Sequence, residues 1–151
     1  MFSKLKKMIK SDNPQSVSDD LDPLQYAAAV LLFEVAAVDG HIGEDEEVLI
    51  AQILSQEFGL SPDEGTQLRE AAKTRAQSSV QLLPAVSVIN KDYSEVNKEH
   101  LFELLWQVVL SDGLREDHES ALMRRLAGLL YVSDKASGTA RRRALQKLEK
   151  S

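Results

Sequence analysis

From residue 22 onward, apolar residues recur every three or four positions, the spacing of helical faces, and nowhere is there a sustained apolar–polar alternation that would mark a strand. Leu24, Ala28, Leu31, Val35 and Val38 trace the first face. Asp22 is placed to cap it, Pro23 takes the first helical position where its missing N–H costs nothing, and Gly40 stops it. A second helix is expected from about Glu44, where acids in the first turn complement the positive end of the helix dipole, through Val48, Leu49, Ile53 and Leu54 to Gly59. Ser61, Pro62 and Glu64 form a capping-box signature for a third helix, which carries Leu68, Ala71 and Ala72 inward and ends near Gln77. In residues 78–91 the Val and Ile content favours a strand, but Leu82, Leu83, Val86 and Ile89 stand at helical spacing, so a helix kinked or started near Pro84 is predicted. Ser94 caps the next helix, which carries "HLFELLWQVVLSDG" to Gly113, and another runs from about Glu116 to Leu130. A final helix follows Ser133. The expected fold is all-α, a compact bundle of about seven helices.

The pattern repeats. Shifting the chain by 73 residues lays "LLFEVAAVDGHIGEDEEVLIAQIL" on "LLWQVVLSDGLREDHESALMRRLA" without a gap. Leu31 falls on Leu104, Phe33 on Trp106, Val35 on Val108, Ile50 on Met123 and Ile53 on Leu126, all apolar positions suited to a core. The polar matches are Asp39 on Asp112, Gly40 on Gly113, Glu44 on Asp117 and Glu46 on Glu119, which define a shared D-G-x5-E motif. An internal pseudo-two-fold repeat of helical hairpins is the corresponding expectation.

The 151 residues, 43% hydrophobic with seven Gly and four Pro, suffice for one folded unit with its own core. Residues 11–21 are polar without an apolar period, so residues 1–21 read as a basic segment plus linker and residues 22–151 as the helical domain. With no cysteine there is no disulfide, thiolate zinc site or cysteine nucleophile, and nothing calls for an oxidising compartment. The cytoplasm is the expected location. Neither a signal-peptide core nor a bilayer-length apolar run is present.

Charge is segregated along the chain. Residues 1–10 carry four lysines, residues 135–151 carry a net +5, and the intervening stretch carries −15, for a total of −6. An acidic body with basic ends argues against nucleic acid as a partner, because such readers concentrate Lys and Arg on their folded face. Cations or basic proteins suit it better.

The two D-G-x5-E hairpins, the stretch "LLWQVVLSDG" and the "FGLS" that follows the first hairpin resemble the tellurite-resistance TerB family, a domain also found in DjlA-type co-chaperones. The resemblance spans roughly residues 24–135. It implies an all-helical fold with two pseudo-symmetric halves, shared acidic residues proposed to bind metal ions, and a role linked to tellurite or metal stress or to protein assembly.

The candidate metal ligands are Asp39, Glu46, Asp112 and Glu119. They do not form an EF-hand, because a loop starting at Asp39 places His41 at position 3, Gly43 at position 5 and Glu44 at position 6. The electrostatics of the motif are uneven. Glu46 at a helix N-terminus is favourable by itself, whereas Asp39 and Asp112 near helix C-termini meet the negative dipole end and require compensation. A divalent cation of unspecified identity would supply it, and so would hydrogen bonds from the Asp side chain to the turn or to the next helix. Glu44, Asp45 and Glu47 read as a solvated first turn, His100 as surface or packing, and Phe33 and Trp106 as core anchors. No nucleophile–base pair, phosphate loop or cofactor motif appears, so a non-enzymatic module is expected, with a protein partner on an outer helical face as the alternative function.

Within "MFSKLKKMIK", Phe2, Leu5 and Ile9 fall on one side of a helical projection and Lys4, Lys6, Lys7 and Lys10 largely around the rest. Such a segment has the chemistry for weak, salt-sensitive contact with an anionic membrane, or for folding back on the acidic body.

Overall fold

A computed structural model describes residues 21–37, 42–77, 82–111 and 116–150. Seven helices occupy them: α1 (Pro23–Ala36), α2 (Glu44–Phe58), α3 (Pro62–Gln77), α4 (Leu82–Asp92), α5 (Glu95–Ser111), α6 (Glu116–Leu130) and α7 (Asp134–Lys150). No strand occurs among the described residues.

The helix ends follow the local chemistry. Asp22 Oδ1 accepts from the Leu24 and Gln25 amides at 2.8 and 3.4 Å, with Pro23 in the first turn of α1. Ser61 and Glu64 form the reciprocal capping box that opens α3, at 3.0 and 3.2 Å. Ser94 Oγ accepts from the Asn97 amide and Ser133 Oγ from the Ala136 amide, which satisfies backbone donors that would otherwise be orphaned at the starts of α5 and α7. Gly59 closes α2 in the left-handed conformation, φ 59°, where a Cβ would be strained. After α6 the same left-handed position falls to Tyr131, also φ 59°, and the Val132 amide reaches back to the Ala127 carbonyl at 2.9 Å.

Two helices are buried almost all round. In α1, Ala27 through Phe33 are at most 2% exposed, and Val35 and Ala36 are fully buried. This is broader than the single stripe expected from Leu24, Ala28, Leu31 and Val35, and Leu24 itself is only half-buried. The cause is packing: α1 lies centrally against α3, α4 and α5 and also touches α2 and α6. It ends at Ala36 with Ala37 as cap, short of Gly40. The second buried helix is α5, where every residue from Leu101 to Val109 is buried, including Glu103 and Gln107.

The most extensive helix pairing joins α5 and α7. Ala140 and Ala144 face inward on α7, and their small side chains allow close approach. Trp106 Nε1 donates to Ser137 Oγ at 3.1 Å, the Arg141 guanidinium lies over the indole, and Lys147 Nζ meets the buried Glu103 carboxylate at 2.9 Å. One hydrophobic cluster draws side chains from all seven helices.

Candidate functional site

Among the four sequence-proposed ligands, Glu46 is the one whose side chain is described. Asp39 and Asp112 lie outside the described residues, and so does the side chain of Glu119. Glu46 stands at the third position of α2 and is 4% exposed, unlike its neighbours Glu44 and Asp45, which face solvent. Its Oε1 accepts from the Gly43 amide at 3.0 Å, so the carboxylate folds back over the start of its own helix. A Gly-x-x-Glu spacing at residues 43–46 carries that signal, as Ser-x-x-Glu does at residues 61–64. Glu47 is directed elsewhere, to Lys73 Nζ at 2.9 Å, and ties α2 to α3. Among the described residues, no three His, Asp or Glu side chains converge as a metal-holding group.

A chemically varied concavity lies at the N-terminal end of α1. Here a cleft of about 380 Å³ has the buried side chains of Ala28, Leu101 and Leu104 along its base. Asp22, Glu57, Asp92, Asn97 and His100 supply its polar groups. His100 Nε2 lies 2.6 Å from Glu57 Oε1, which pins the end of α2 to α5 and gives His100 a defined partner where sequence assigned only surface or packing. Tyr93 lines the cleft and its hydroxyl donates to the Leu24 carbonyl at 3.3 Å. These groups come from four separated stretches of chain, so no contiguous motif announces the cleft; of its polar groups, sequence read Asp22 as a helix cap and His100 as surface or packing.

Burial, reinforced by the nearby Asp22 and Glu57 carboxylates, pushes the Tyr93 phenol up to about 12 from an ordinary 10.0. A raised folded-state pKa stabilises the fold below the unfolded value, and the contribution is lost as pH rises through the folded value. Stability is therefore expected to fall by about 2–3 kcal/mol between pH 10 and 12 on this account alone. Tyrosinate absorbance alongside melting curves checks it: Tyr93→Phe should remove the late-titrating phenol and flatten the alkaline loss. An unchanged late phase in the variant would reassign it.

An all-helical bundle with two buried central helices, its polar chemistry gathered at helix ends and turns, defines a small helical module. The chain belongs to the tellurite resistance protein TerB family, whose sequence profile matches residues 25–142. That agrees with the resemblance carried by the D-G-x5-E hairpins. No curated protein and no solved structure matches the chain significantly. Among the described residues, no helix is long and apolar enough to cross a membrane.

Proposed function

We propose that the chain is a non-catalytic TerB-type module, resident in the cytoplasm, that takes up a divalent cation at its D-G-x5-E turns as part of a tellurite- or metal-linked stress response. The observation that carries this reading is the burial of Glu46. An ionised carboxylate removed from water is costly unless its charge is met, and Glu46 is buried at the positive end of α2, where its Oε1 accepts from the Gly43 amide and a cation shared with Asp39 would be electrostatically welcome. Asp39 and Glu46 would hold one ion and Asp112 and Glu119 a second. An all-carboxylate donor set suits a hard cation such as Ca²⁺, Mg²⁺ or Mn²⁺ better than Zn²⁺. Bound there, the ion would neutralise the Asp of each motif while fixing the start of the helix that follows.

Calorimetric titration of chelator-stripped protein with Ca²⁺, Mg²⁺, Mn²⁺ and Zn²⁺ tests the reading. Saturation at about a hundred times Kd should add about 2.7 kcal/mol and raise Tm by several degrees, and Asp39→Asn with Asp112→Asn should abolish both heat and shift. No heat and no shift in the parent chain would remove the cation.

One observation favours a second reading, an interaction module for a protein partner without metal: Glu46 Oε1 is already engaged in capping. On that reading, the Asp→Asn changes alter stability or nothing, and cations have no effect in either chain.

A further inference from the structure

The cleft between Asp22, Glu57, Asp92 and His100 has no role in the cation proposal and stands independently of it. Its base is apolar and three carboxylates line it, Asp92 exposed, Glu57 beside His100 and Asp22 at the α1 cap, so it presents the complement of a side-chain set that is both lysine-bearing and apolar. At about 380 Å³ it lies near the lower end of ligand clefts, which run roughly 300–1,000 Å³, and it accommodates a few side chains of a peptide, not a folded domain. The chain itself contains a segment of that chemistry. Phe2, Leu5 and Ile9 alternate with Lys4, Lys6, Lys7 and Lys10, and the chain enters the described fold at Leu21, next to Asp22 in the wall of the cleft.

We propose that the cleft at the start of α1 is a docking site for the chain's own basic N-terminal segment, residues 1–10, with Asp92, Glu57 and Asp22 facing its lysines and Leu101 and Leu104 receiving its apolar side chains. Geometry permits it. The polar tether of residues 11–21 would span about 18 Å as a flexible chain, and a short tether holds its ligand at about millimolar effective concentration. Even a weak complementary contact is substantially populated under those conditions. Long-range repulsion disfavours α7 itself as a resting place for the lysines, because that helix carries a net positive charge.

The absence of cysteine allows a nitroxide to be placed uniquely at Ser3→Cys in the full chain, and amide relaxation then reports where the segment resides. Selective broadening of Asn97, His100 and Leu101 at low salt, relieved near 1 M salt where the Debye length is about 3 Å, is the expected result. Asp92→Lys changes an exposed side chain and should weaken docking about five- to tenfold, with the melting temperature nearly unchanged. Lys4, Lys6, Lys7 and Lys10 changed together to Gln should abolish the broadening. Broadening that is absent, spread evenly or centred on another face of the folded chain would overturn the proposal. So would a segment that leaves the cleft amides undisturbed and engages only added phosphatidylserine vesicles, an outcome that assigns residues 1–10 to a membrane surface.

Discussion

Phe33→Ala is expected to lower the stability of the folded chain by about 3–5 kcal/mol, among the largest effects of any core truncation. Phe33 is fully buried near the C-terminal end of α1, the helix that contacts α2, α3, α4, α5 and α6. Removing the ring takes away its transfer free energy and leaves a cavity that five neighbouring helices cannot all collapse into. Since domains of this kind hold only about 5–15 kcal/mol in total, the loss is a large share of the whole. Urea unfolding followed by Trp106 fluorescence and far-ultraviolet circular dichroism should show a lower midpoint, coincident by both probes, with an unchanged slope. Val48→Ala serves as the control, because Val48 on α2 is 57% exposed and its truncation should fall within about 0.5 kcal/mol of the parent. A loss below about 1 kcal/mol for Phe33→Ala would contradict the central placement of α1.

Ala144→Asp should cost about 3 kcal/mol at neutral pH and loosen α7 from α5. Ala144 is fully buried in the seam and lies one helical turn from Lys147, whose ammonium already serves the buried Glu103 carboxylate. The new carboxylate would enter a desolvated seam beside an existing one and compete for the same cation. Its folded-state pKa would be raised, so the sign is fixed: the loss is small below the unfolded carboxylate range and grows as pH rises through the folded value. Trp106 is the sole tryptophan and touches Ser137 and Arg141 of α7, so its emission should shift toward that of exposed indole at pH 7 and recover on acidification. Ala144→Ser, similar in size and uncharged, should leave the emission close to that of the parent. Emission unaltered by Ala144→Asp at pH 7 would show that the seam admits water.

The helices were legible because their signals are local. Asp22–Pro23, Ser61–Pro62 with Glu64, Ser94 and Ser133 each meet the orphaned amides of a helix start with side chains one to three residues away, and each does so in the structure. The stretch at 78–91 was the ambiguous one. Leu82–Asp92 is helical despite its β-branched residues and Pro84, because Ala85, Val86 and Ile89 fall on one face that packs against the core, and Pro84 sits in the first turn where its missing N–H is not needed. The twin acidic motifs were equally visible as a spacing. The burial of Glu46 was not, because the Gly43-x-x-Glu46 spacing marks an acid able to cap its own helix but not whether the surrounding helices cover it.

By itself, the sequence determined the all-helical class, the places where most helices begin, the anchors Phe33 and Trp106, and the TerB kinship. All of these follow from interactions within a few residues or from periodicity along one helix. Only the tertiary structure decided that α1 and α5 are buried along most of their length, that Glu103 finds Lys147 and Glu57 finds His100, and that Asp22, Asp92, Tyr93 and Asn97 share one cleft. Those facts depend on which helix lies against which, and that choice is made by the shape and volume of whole faces packing to crystal-like density, a property no stretch of chain carries alone.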